Sequence, residues 1–176
     1  LNDMRFIMTS KRCVTGTDRL FDVCKKIKAK HYINIQGDEP FIKPEQIKQV
    51  ANCFLNTKTQ IATLAKTINN KKELLDTNTT KVILDNNKTA LSFFRKITAK
   101  KEINTKPFFK HIGIYGYRTK VLTEIIKLPQ SPNEISERLE QLRWLEKGYK
   151  IKIAITDIES ISIDTPEDLK KIEFLR

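Results

Sequence analysis

Apolar residues in the first part of the chain change between two spacings, one of three or four residues and one of two. The first spacing predicts helices and the second predicts strands. Strands are predicted at 5–9, 31–36 and 60–67, with helices starting near Thr17 and at Pro44, and Thr17 or Asp18 is the expected N-cap of the first helix. This alternation predicts an α/β fold with two right-handed crossovers on a mostly parallel sheet. The predicted buried helix faces are Leu20, Phe21, Cys24 and Ile27, and Ile47, Val50, Ala51 and Phe54.

The second half of the chain predicts a hairpin at 81–94, whose turn uses Asn86 and Asn87 because asparagine tolerates positive φ. A polar, mobile loop is expected at 96–106, followed by a strand at 109–117. Helices are predicted at 120–127 and 133–147, and Gly148 is expected to end the second one. The buried side of that helix is predicted to be Ile135, Leu139, Leu142 and Leu145, with Trp144 as a core or interface aromatic. A strand at 150–156 and a last helix opened by Thr165 and Pro166 complete the prediction.

Composition narrows the classes of protein. The chain has 176 residues, of which 39% are apolar, and it shows neither a repeat nor a linker, which predicts one domain. No apolar run is long enough for a membrane span, and no secretory signal is apparent, so a cytoplasmic protein is expected. Three dispersed cysteines and two distant histidines indicate neither a disulfide framework nor a zinc site. The net charge of +12 fits nucleic acid, an anionic surface or nucleoside triphosphates, although no nucleic-acid-binding motif is found.

Candidate chemistry begins where a predicted strand ends, at Gln36-Gly37-Asp38-Glu39-Pro40. Ligands bind at the carboxyl ends of strands in open α/β sheets, and a carboxylate there suits Mg²⁺ shared with phosphate oxygens. Asp164 follows Ile163 in a similar position and could hold the same ion. Both segments also have a structural interpretation, since a polar turn or an Asp-Thr-Pro-Glu sequence can simply start a helix. Gly16-Thr17-Asp18-Arg19 could hold an anion or a base edge at a helix N-terminus, although a glycine before a helix is common.

Five blocks in this order resemble the 3-deoxy-manno-octulosonate cytidylyltransferases, the CMP-Kdo synthetases. The blocks are Met8-Thr9-Ser10 with Gly16-Thr17-Asp18-Arg19-Leu20, Ile33-Asn34-Ile35-Gln36-Gly37-Asp38-Glu39-Pro40, Lys110-His111-Ile112-Gly113-Ile114-Tyr115-Gly116-Tyr117-Arg118, Leu139-Glu140-Gln141-Leu142-Arg143 and Asp164-Thr165-Pro166-Glu167-Asp168-Leu169. The resemblance implies a nucleotide-diphospho-sugar transferase fold, Rossmann-like, with a mixed sheet and an inserted hairpin region that supports a homodimer. It implies transfer of a cytidylyl group from CTP to an eight-carbon acidic sugar for lipopolysaccharide synthesis, with Mg²⁺ and without nucleic acid or membrane insertion.

The resemblance also assigns residues. Asp38 and Asp164 would be catalytic and hold the metal, and Gly16, Thr17, Asp18 and Arg19 would line the cytidine site. The residues expected to face the sugar are Gln36, Arg95, His111, Tyr115, Glu140 and Gln141. The family's opening strand and its Pro-Ala-Arg-x-x-Ser-x-Arg phosphate loop have no counterpart here, so a single domain at 1–176 lacking that first strand–helix region is expected.

Alternatives remain open at this stage. His111 could be an ordinary core histidine, Arg95 a surface residue, and Glu140 with Gln141 the polar side of an amphipathic helix. The sugar could be another ulosonic or sialic-type acid, including an amino-substituted one. From a different class, the chain could be an inactive domain with an interaction or nucleic-acid-binding role.

Overall fold

The structure is a computed structural model that describes residues 6–97 and 107–163. Within these ranges six strands form one sheet, and six α-helices and one short 3-10 turn surround it. The strands are β1 (His31–Ile35), β2 (Ile61–Thr67), β3 (Lys81–Leu84), β4 (Ala90–Phe94), β5 (Phe109–Arg118) and β6 (Ile151–Ile155). The helices are α1 (Gly16–Lys26), α2 (Pro44–Asn52), α3 (Lys71–Leu75), α4 (Thr119–Ile125), α5 (Pro132–Glu137) and α6 (Gln141–Glu146), and the 3-10 turn is Cys53–Leu55.

The sheet is mixed, and β5 lies at its centre. On one side β5 pairs along most of its length with β2. On the other side its first two residues pair with β3 and its second half pairs with β1. All three pairings are antiparallel, so β1, β2 and β3 run in the same direction, as does β6, which lies parallel to β2. The α/β class is confirmed. The prediction of a mostly parallel sheet is wrong for the pairings, because β5 separates strands that the sequence order would have placed side by side.

The start of the described chain differs from the prediction. Residues 6–10 form no strand, and Phe6 and Met8 are 85% and 79% exposed, so their alternation does not mark a buried face. The first helix begins at Gly16 and is capped by Thr15, two or three residues before the expected cap. Asp18 accepts hydrogen bonds from the backbone N–H groups of Val14 (2.8 Å) and Thr15 (2.9 Å), which completes a capping box.

The predicted hairpin is confirmed, but its turn uses another residue. Positive φ occurs at Lys88 (56°) instead of at the two asparagines. The carboxylate of Asp85 holds the turn by accepting from the backbone N–H groups of Asn87 (2.8 Å) and Thr89 (2.7 Å). An acidic side chain bonded to the backbone two residues on forms a turn of its own, and this interaction decides which residue adopts the left-handed conformation.

The predicted helix at 133–147 is two helices, α5 and α6, separated by Arg138 in the left-handed conformation (φ 55°). The break turns Leu139 into the core, whereas Ile135, expected to be buried, is 61% exposed. Gly148 ends α6 as predicted, with Gly148 N–H donating to Leu145 and Tyr149 N–H to Trp144, the hydrogen bonds of a Schellman motif. The predicted helix after Asp164, and residues 98–106 of the predicted loop, lie outside the described residues.

Apolar side chains cover both faces of the sheet. On one face β2 and β5 contribute Ala62, Leu64, Ile112 and Ile114, which pack against Val50 and Phe54 beside α2. On the other face Tyr117, Ile61 and the β6 isoleucines pack against α1, α4 and α6, where Trp144 is buried as expected. Among the described residues, no helix has both the length and the hydropathy to cross a bilayer.

Gly116 of β5 tests how closely α2 packs on the sheet. A Cβ atom at this position would lie 2.5 Å from Phe54 and 2.9 Å from Val50. Gly116→Ala should therefore lower the free energy of unfolding by about 2 kcal/mol, the usual cost of overpacking a core, as measured by urea denaturation.

Gly37→Ala is the matched control, because nothing lies within 4 Å of a Cβ there. It should change stability by no more than about 0.5 kcal/mol. Equal losses in the two variants would contradict the close packing described for Gly116.

Candidate functional site

A cavity of about 630 Å³ opens at the edge of the sheet where β1 and β6 end and β5 begins. This volume is in the range of small-molecule sites. Residues that the sequence placed in the cytidine, sugar and metal sites line it together, although they come from five separate parts of the chain. They are Gly16, Gln36, Asp38, Arg95, His111, Tyr115, Glu140 and Gln141.

The other predicted residues are placed differently. Thr17 is buried behind Gly16, and its hydroxyl donates to Glu140 (2.9 Å). Asp18 serves the capping box of α1, and the guanidinium of Arg19 donates to the hydroxyl of Thr9 (2.9 Å) at the surface. These three residues do not line the cavity. Asp164, the second expected metal ligand, lies outside the described residues.

The loop after β1 carries the two neighbouring carboxylates Asp38 and Glu39. Asp38 is half-buried at the cavity, and its main-chain carbonyl accepts from the N–H of Ile163 (2.8 Å). Glu39 is buried and accepts from the Gly113 N–H (2.9 Å) and from the Ser160 hydroxyl. Glu39 therefore ties the end of β1 to β5 and to the segment after β6, while burial raises the pKa of its carboxyl group.

His111 projects from β5 to the cavity wall. Its Nε2 lies 3.0 Å from the Thr63 hydroxyl oxygen, and that hydroxyl also lies 2.6 Å from the Ile114 carbonyl. Because the single hydroxyl proton of Thr63 is used toward Ile114, Nε2 of His111 carries the proton and donates it. Burial lowers the pKa of His111 to about 3, and the positive charge of Arg95 acts in the same direction. The imidazole is therefore neutral at physiological pH.

Tyr115 lies beside His111, with ring centroids 5.1 Å apart, and meets Trp144 edge to face at 5.5 Å. The residue is only 3% exposed, and burial raises the pKa of its phenol well above the usual range. Among the described residues nothing hydrogen-bonds its hydroxyl group. A buried hydroxyl normally has a partner, so this one is open to a partner from outside the described residues, either water or a ligand.

Glu140 connects α1 with the segment between α5 and α6. Its carboxylate accepts from the hydroxyls of Thr15 (3.3 Å) and Thr17, and it pairs with Arg143. Burial raises the pKa of Glu140, and Arg143 opposes that shift. The left-handed Arg138 makes this contact possible, because a continuous helix through 133–147 would direct residue 140 elsewhere.

Arg95 follows β4 directly and is held by main-chain carbonyls. Its Nε donates to Glu137 (3.3 Å) and its Nη1 to Asn78 (2.9 Å). No carboxylate within the two described ranges forms a salt bridge with its guanidinium. Arg95 is half-buried and lines the cavity, which favours a role at the site over a plain surface position; that role stays a prediction.

Sequence reasoning missed Lys110 and Glu159. Lys110 donates to Glu159 (2.7 Å), which also pairs with Lys66, so a cation and an anion lie together on one wall of the cavity. Burial alone would raise the pKa of Glu159, but hydrogen bonds from Lys110 and Lys66 outweigh it and lower that pKa. The only available signal was a lysine directly before His111, and Glu159 had none. The polar segment 76–80, with Asp76, Asn78, Thr79 and Thr80 at the cavity, was also missed.

Known proteins that are similar in sequence identify the family of this chain. The sequence profile of a cytidylyltransferase family matches residues 2–153. The chain belongs to this cytidylyltransferase family. It is 48% identical over 178 residues to the 3-deoxy-manno-octulosonate cytidylyltransferase of Parabacteroides distasonis, covering 94% of this chain and 71% of that protein. It is 49% identical over 181 residues to the enzyme of the same name from Bacteroides thetaiotaomicron, covering 96% and 72%.

A further relative of this cytidylyltransferase carries a different name. The 8-amino-3,8-dideoxy-manno-octulosonate cytidylyltransferase of Shewanella baltica is 42% identical, over 96% of this chain and 71% of that one. Among solved structures, CMP:2-keto-3-deoxy-manno-octonic acid synthetase complexed with CTP superimposes with a TM-score of 0.87 at 35% identity, over 96% and 70% of the two chains. HddC from Yersinia pseudotuberculosis, at 19% identity, TM-score 0.63 and coverages of 97% and 66%, shares the fold.

The neutral state of His111 gives a pH dependence. The pKa is about 3 in the folded chain and roughly 6.5 when unfolded, so between these values only the unfolded chain takes up the proton. Stability is therefore kept above about pH 6.5 and lost progressively as pH falls toward 3. The free energy of unfolding is measured with urea at about pH 7.5 and about pH 5. Between these two pH values it should fall by about 2 kcal/mol less in His111→Gln than in the wild type.

His31→Gln is the comparison. His31 is partly exposed, and burial also lowers its pKa. His31→Gln should therefore protect against the loss of stability at low pH less than His111→Gln does. If His111→Gln and the wild type lost equal stability, the folded histidine would not be held neutral.

Proposed function

We propose that this cytidylyltransferase joins CTP to 3-deoxy-D-manno-octulosonate (Kdo), giving CMP-Kdo and pyrophosphate. The anomeric hydroxyl oxygen of the sugar attacks the α-phosphorus of CTP, the bond to the bridging oxygen breaks, and the hydroxyl proton is released. The single observation that carries the proposal is the cavity in which Asp38, Arg95, His111 and Tyr115 meet. The names of the relatives that are 48% and 49% identical support the same substrates.

The polar groups at the cavity suit an acidic, hydroxyl-rich ligand. A guanidinium pairs with a carboxylate through two parallel hydrogen bonds. The backbone N–H of Arg95 donates to the Glu137 carboxylate (3.4 Å), but its guanidinium forms no salt bridge among the described residues. The free hydroxyl of Tyr115 and the neutral imidazole of His111 suit sugar hydroxyls. We assign the sugar to these three residues and to Gln36, Glu140 and Gln141.

We assign the cytidine to the N-terminus of α1, with Gly16, Thr17, Asp18 and Arg19. Gly16 faces the cavity, and Thr17 acts from behind it through Glu140. Asp18 holds the backbone of the preceding loop, which makes its role one of shaping the site. The hydrogen bonds of Glu140 with Thr15 and Thr17 would fix the position of the cytidine side of the cavity relative to the sugar side.

We assign a Mg²⁺ ion to Asp38, which follows β1, and to Asp164, which lies outside the described residues. This ion prefers one or two carboxylates and takes its remaining ligands from water and phosphate. The Ile163 N–H bonds to the Asp38 carbonyl, so the chain approaches Asp38 one residue before Asp164. When bound, the ion would neutralise the phosphate charge and lower the hydroxyl pKa.

The proposal also covers the cellular compartment and the oligomeric state of the enzyme. CMP-Kdo would be supplied in the cytoplasm for lipopolysaccharide assembly, and the working unit would be a homodimer. Size-exclusion chromatography with light scattering tests the assembly, for which a monomer mass would be the contrary result.

The assay also tests an alternative sugar substrate. The relative from Shewanella baltica is named for an 8-amino sugar, so 8-amino-3,8-dideoxy-manno-octulosonate is compared with Kdo in the same assay.

A nucleic-acid-binding role is the alternative from a different class. A second cavity, lined by Lys58, Lys88, Lys150 and Lys152, concentrates positive charge at the opposite end of the strands. No aromatic residue lines it in the described ranges, so a platform for stacking bases is missing there. Binding to oligonucleotides that falls steeply with salt would favour a nucleic-acid role.

Asp38→Asn tests the metal assignment. The change removes the charge but preserves the shape, so pyrophosphate release from CTP, Kdo and Mg²⁺ should fall by about a hundredfold or more. Asp157→Asn, an exposed aspartate after β6, is the control and should keep normal turnover. Near-normal turnover in pure, folded Asp38→Asn would defeat the assignment.

Arg95→Ala tests the sugar assignment. Losing a paired charge should raise the KM for Kdo by about tenfold or more, with the KM for CTP changing by less than about threefold. Arg12→Ala removes an exposed arginine outside the cavity and should leave both constants unchanged. Equal effects of Arg95→Ala on the two substrates would contradict a role at the sugar.

A further inference from the structure

Lys81 is a fully buried lysine at the start of β3, with 0% exposure. Its Nζ donates to the main-chain carbonyls of Asp76 and Arg95, the latter at 2.7 Å. No carboxylate within residues 6–97 and 107–163 forms a salt bridge with it. An ammonium group is costly to bury even when hydrogen-bonded, and lysine is rarely found fully buried.

The two carbonyls belong to residues that line the cavity. Asp76 begins the polar segment 76–80, and Arg95 follows the last residue of β4. Lys81 itself is fixed in the sheet, because its backbone is in register with Phe94 of β4 and Lys110 of β5. The side chain therefore joins two cavity-lining segments to the middle of the sheet.

Arg95 completes the same connection from the other direction. Its Nη1 donates to the Asn78 carbonyl at 2.9 Å, within the segment that Lys81 holds through Asp76. Each segment is thus bonded both to Lys81 and to the other segment. A change at Lys81 would remove the hydrogen bond to the Arg95 carbonyl and the hydrogen bond to the Asp76 carbonyl, while the Arg95 N–H would still donate to the Glu137 carboxylate (3.4 Å).

An apolar residue would be the cheaper choice if the position served packing alone. Replacing buried charged groups with well-packed apolar side chains is often neutral or stabilising. Burial lowers the pKa of Lys81 below its usual value, with Asp76 opposing and Arg95 adding to the shift. The charge is retained at a cost, and within the described part of the chain its hydrogen bonds go to the two carbonyls at the cavity wall.

We propose that Lys81 is a positioning residue for the acidic sugar, setting the place of Arg95 by holding the carbonyls of Asp76 and Arg95. This inference rests on the proposed function, in which Arg95 receives the sugar carboxylate. Lys81 does not contact the ligand. Its removal should weaken sugar use through Arg95 and leave CTP use nearly unchanged.

The experiment is a double-mutant cycle with Lys81→Met, Arg95→Ala and the combined variant. Steady-state kinetics with Kdo and CTP varied separately give the KM for each, and thermal unfolding confirms that each variant is folded. Lys81→Met should raise the KM for Kdo by about tenfold, with less than about a threefold change for CTP. The combined variant should be no worse for Kdo than Arg95→Ala alone, since residues acting through one another are not additive.

Lys48→Met, an exposed lysine on α2, is the matched control and should leave both constants unchanged. If Lys81→Met does not fold, Lys81→Gln takes its place in the cycle. Its side chain is one atom shorter and uncharged, so the contact with the two carbonyls is weakened while a polar group remains in the buried position. Independent, multiplying losses in the combined variant, or equal effects on Kdo and CTP, would overturn the role and leave Lys81 a structural residue.

The two proposals fail in different ways. A wild-type chain that turns over CTP and Kdo, with an additive cycle, overturns only the role of Lys81. A wild-type chain that neither turns over nor binds Kdo in calorimetry overturns the proposed function and the inference with it.

Discussion

The pairing of β5 with β1, β2 and β3 at once is the constraint on which the site depends. One ten-residue strand carries His111 and Tyr115 to the cavity, and its other end packs through Gly116 against Phe54 and Val50. Because β5 is hydrogen-bonded on both sides, neither cavity residue can move without disrupting the sheet. Rigid placement of this kind is what a site needs to hold reacting groups in register.

Buried polar contacts then tie the surrounding segments to this strand. Glu39 bonds to Gly113 of β5 and to Ser160, Glu140 bonds to the N-terminal turn of α1, and Lys81 bonds to Asp76 and Arg95. Each contact places a charged group in a partly dehydrated environment and satisfies it with several partners. Such networks are costly when incomplete, so they specify one arrangement of the cavity wall.

Much of the site was predictable because its residues follow strand ends or lie in short, distinctive blocks. Gln36, Asp38, His111 and Tyr115 were all found in this way, and the structure brings them to one cavity. Glu159 and the segment 76–80 were not found, because a single charged or polar residue in a loop has no periodicity to detect. The break at Arg138 was missed for a related reason: the heptad-like apolar pattern continues through it, and Glu140 gains its contacts only after the chain turns.

The sequence by itself determined the α/β class, the positions of β1, β2, β5 and β6 within a residue or two, and the resemblance to a cytidylyltransferase family. Those features depend on local spacing and on residue types that occur together. Only the tertiary structure decided that β5 separates the parallel strands, that His111 is neutral and that Lys81 is buried beneath Arg95. Strand order, burial and shifted pKa values arise from contacts between distant residues, and local sequence carries no direct record of them.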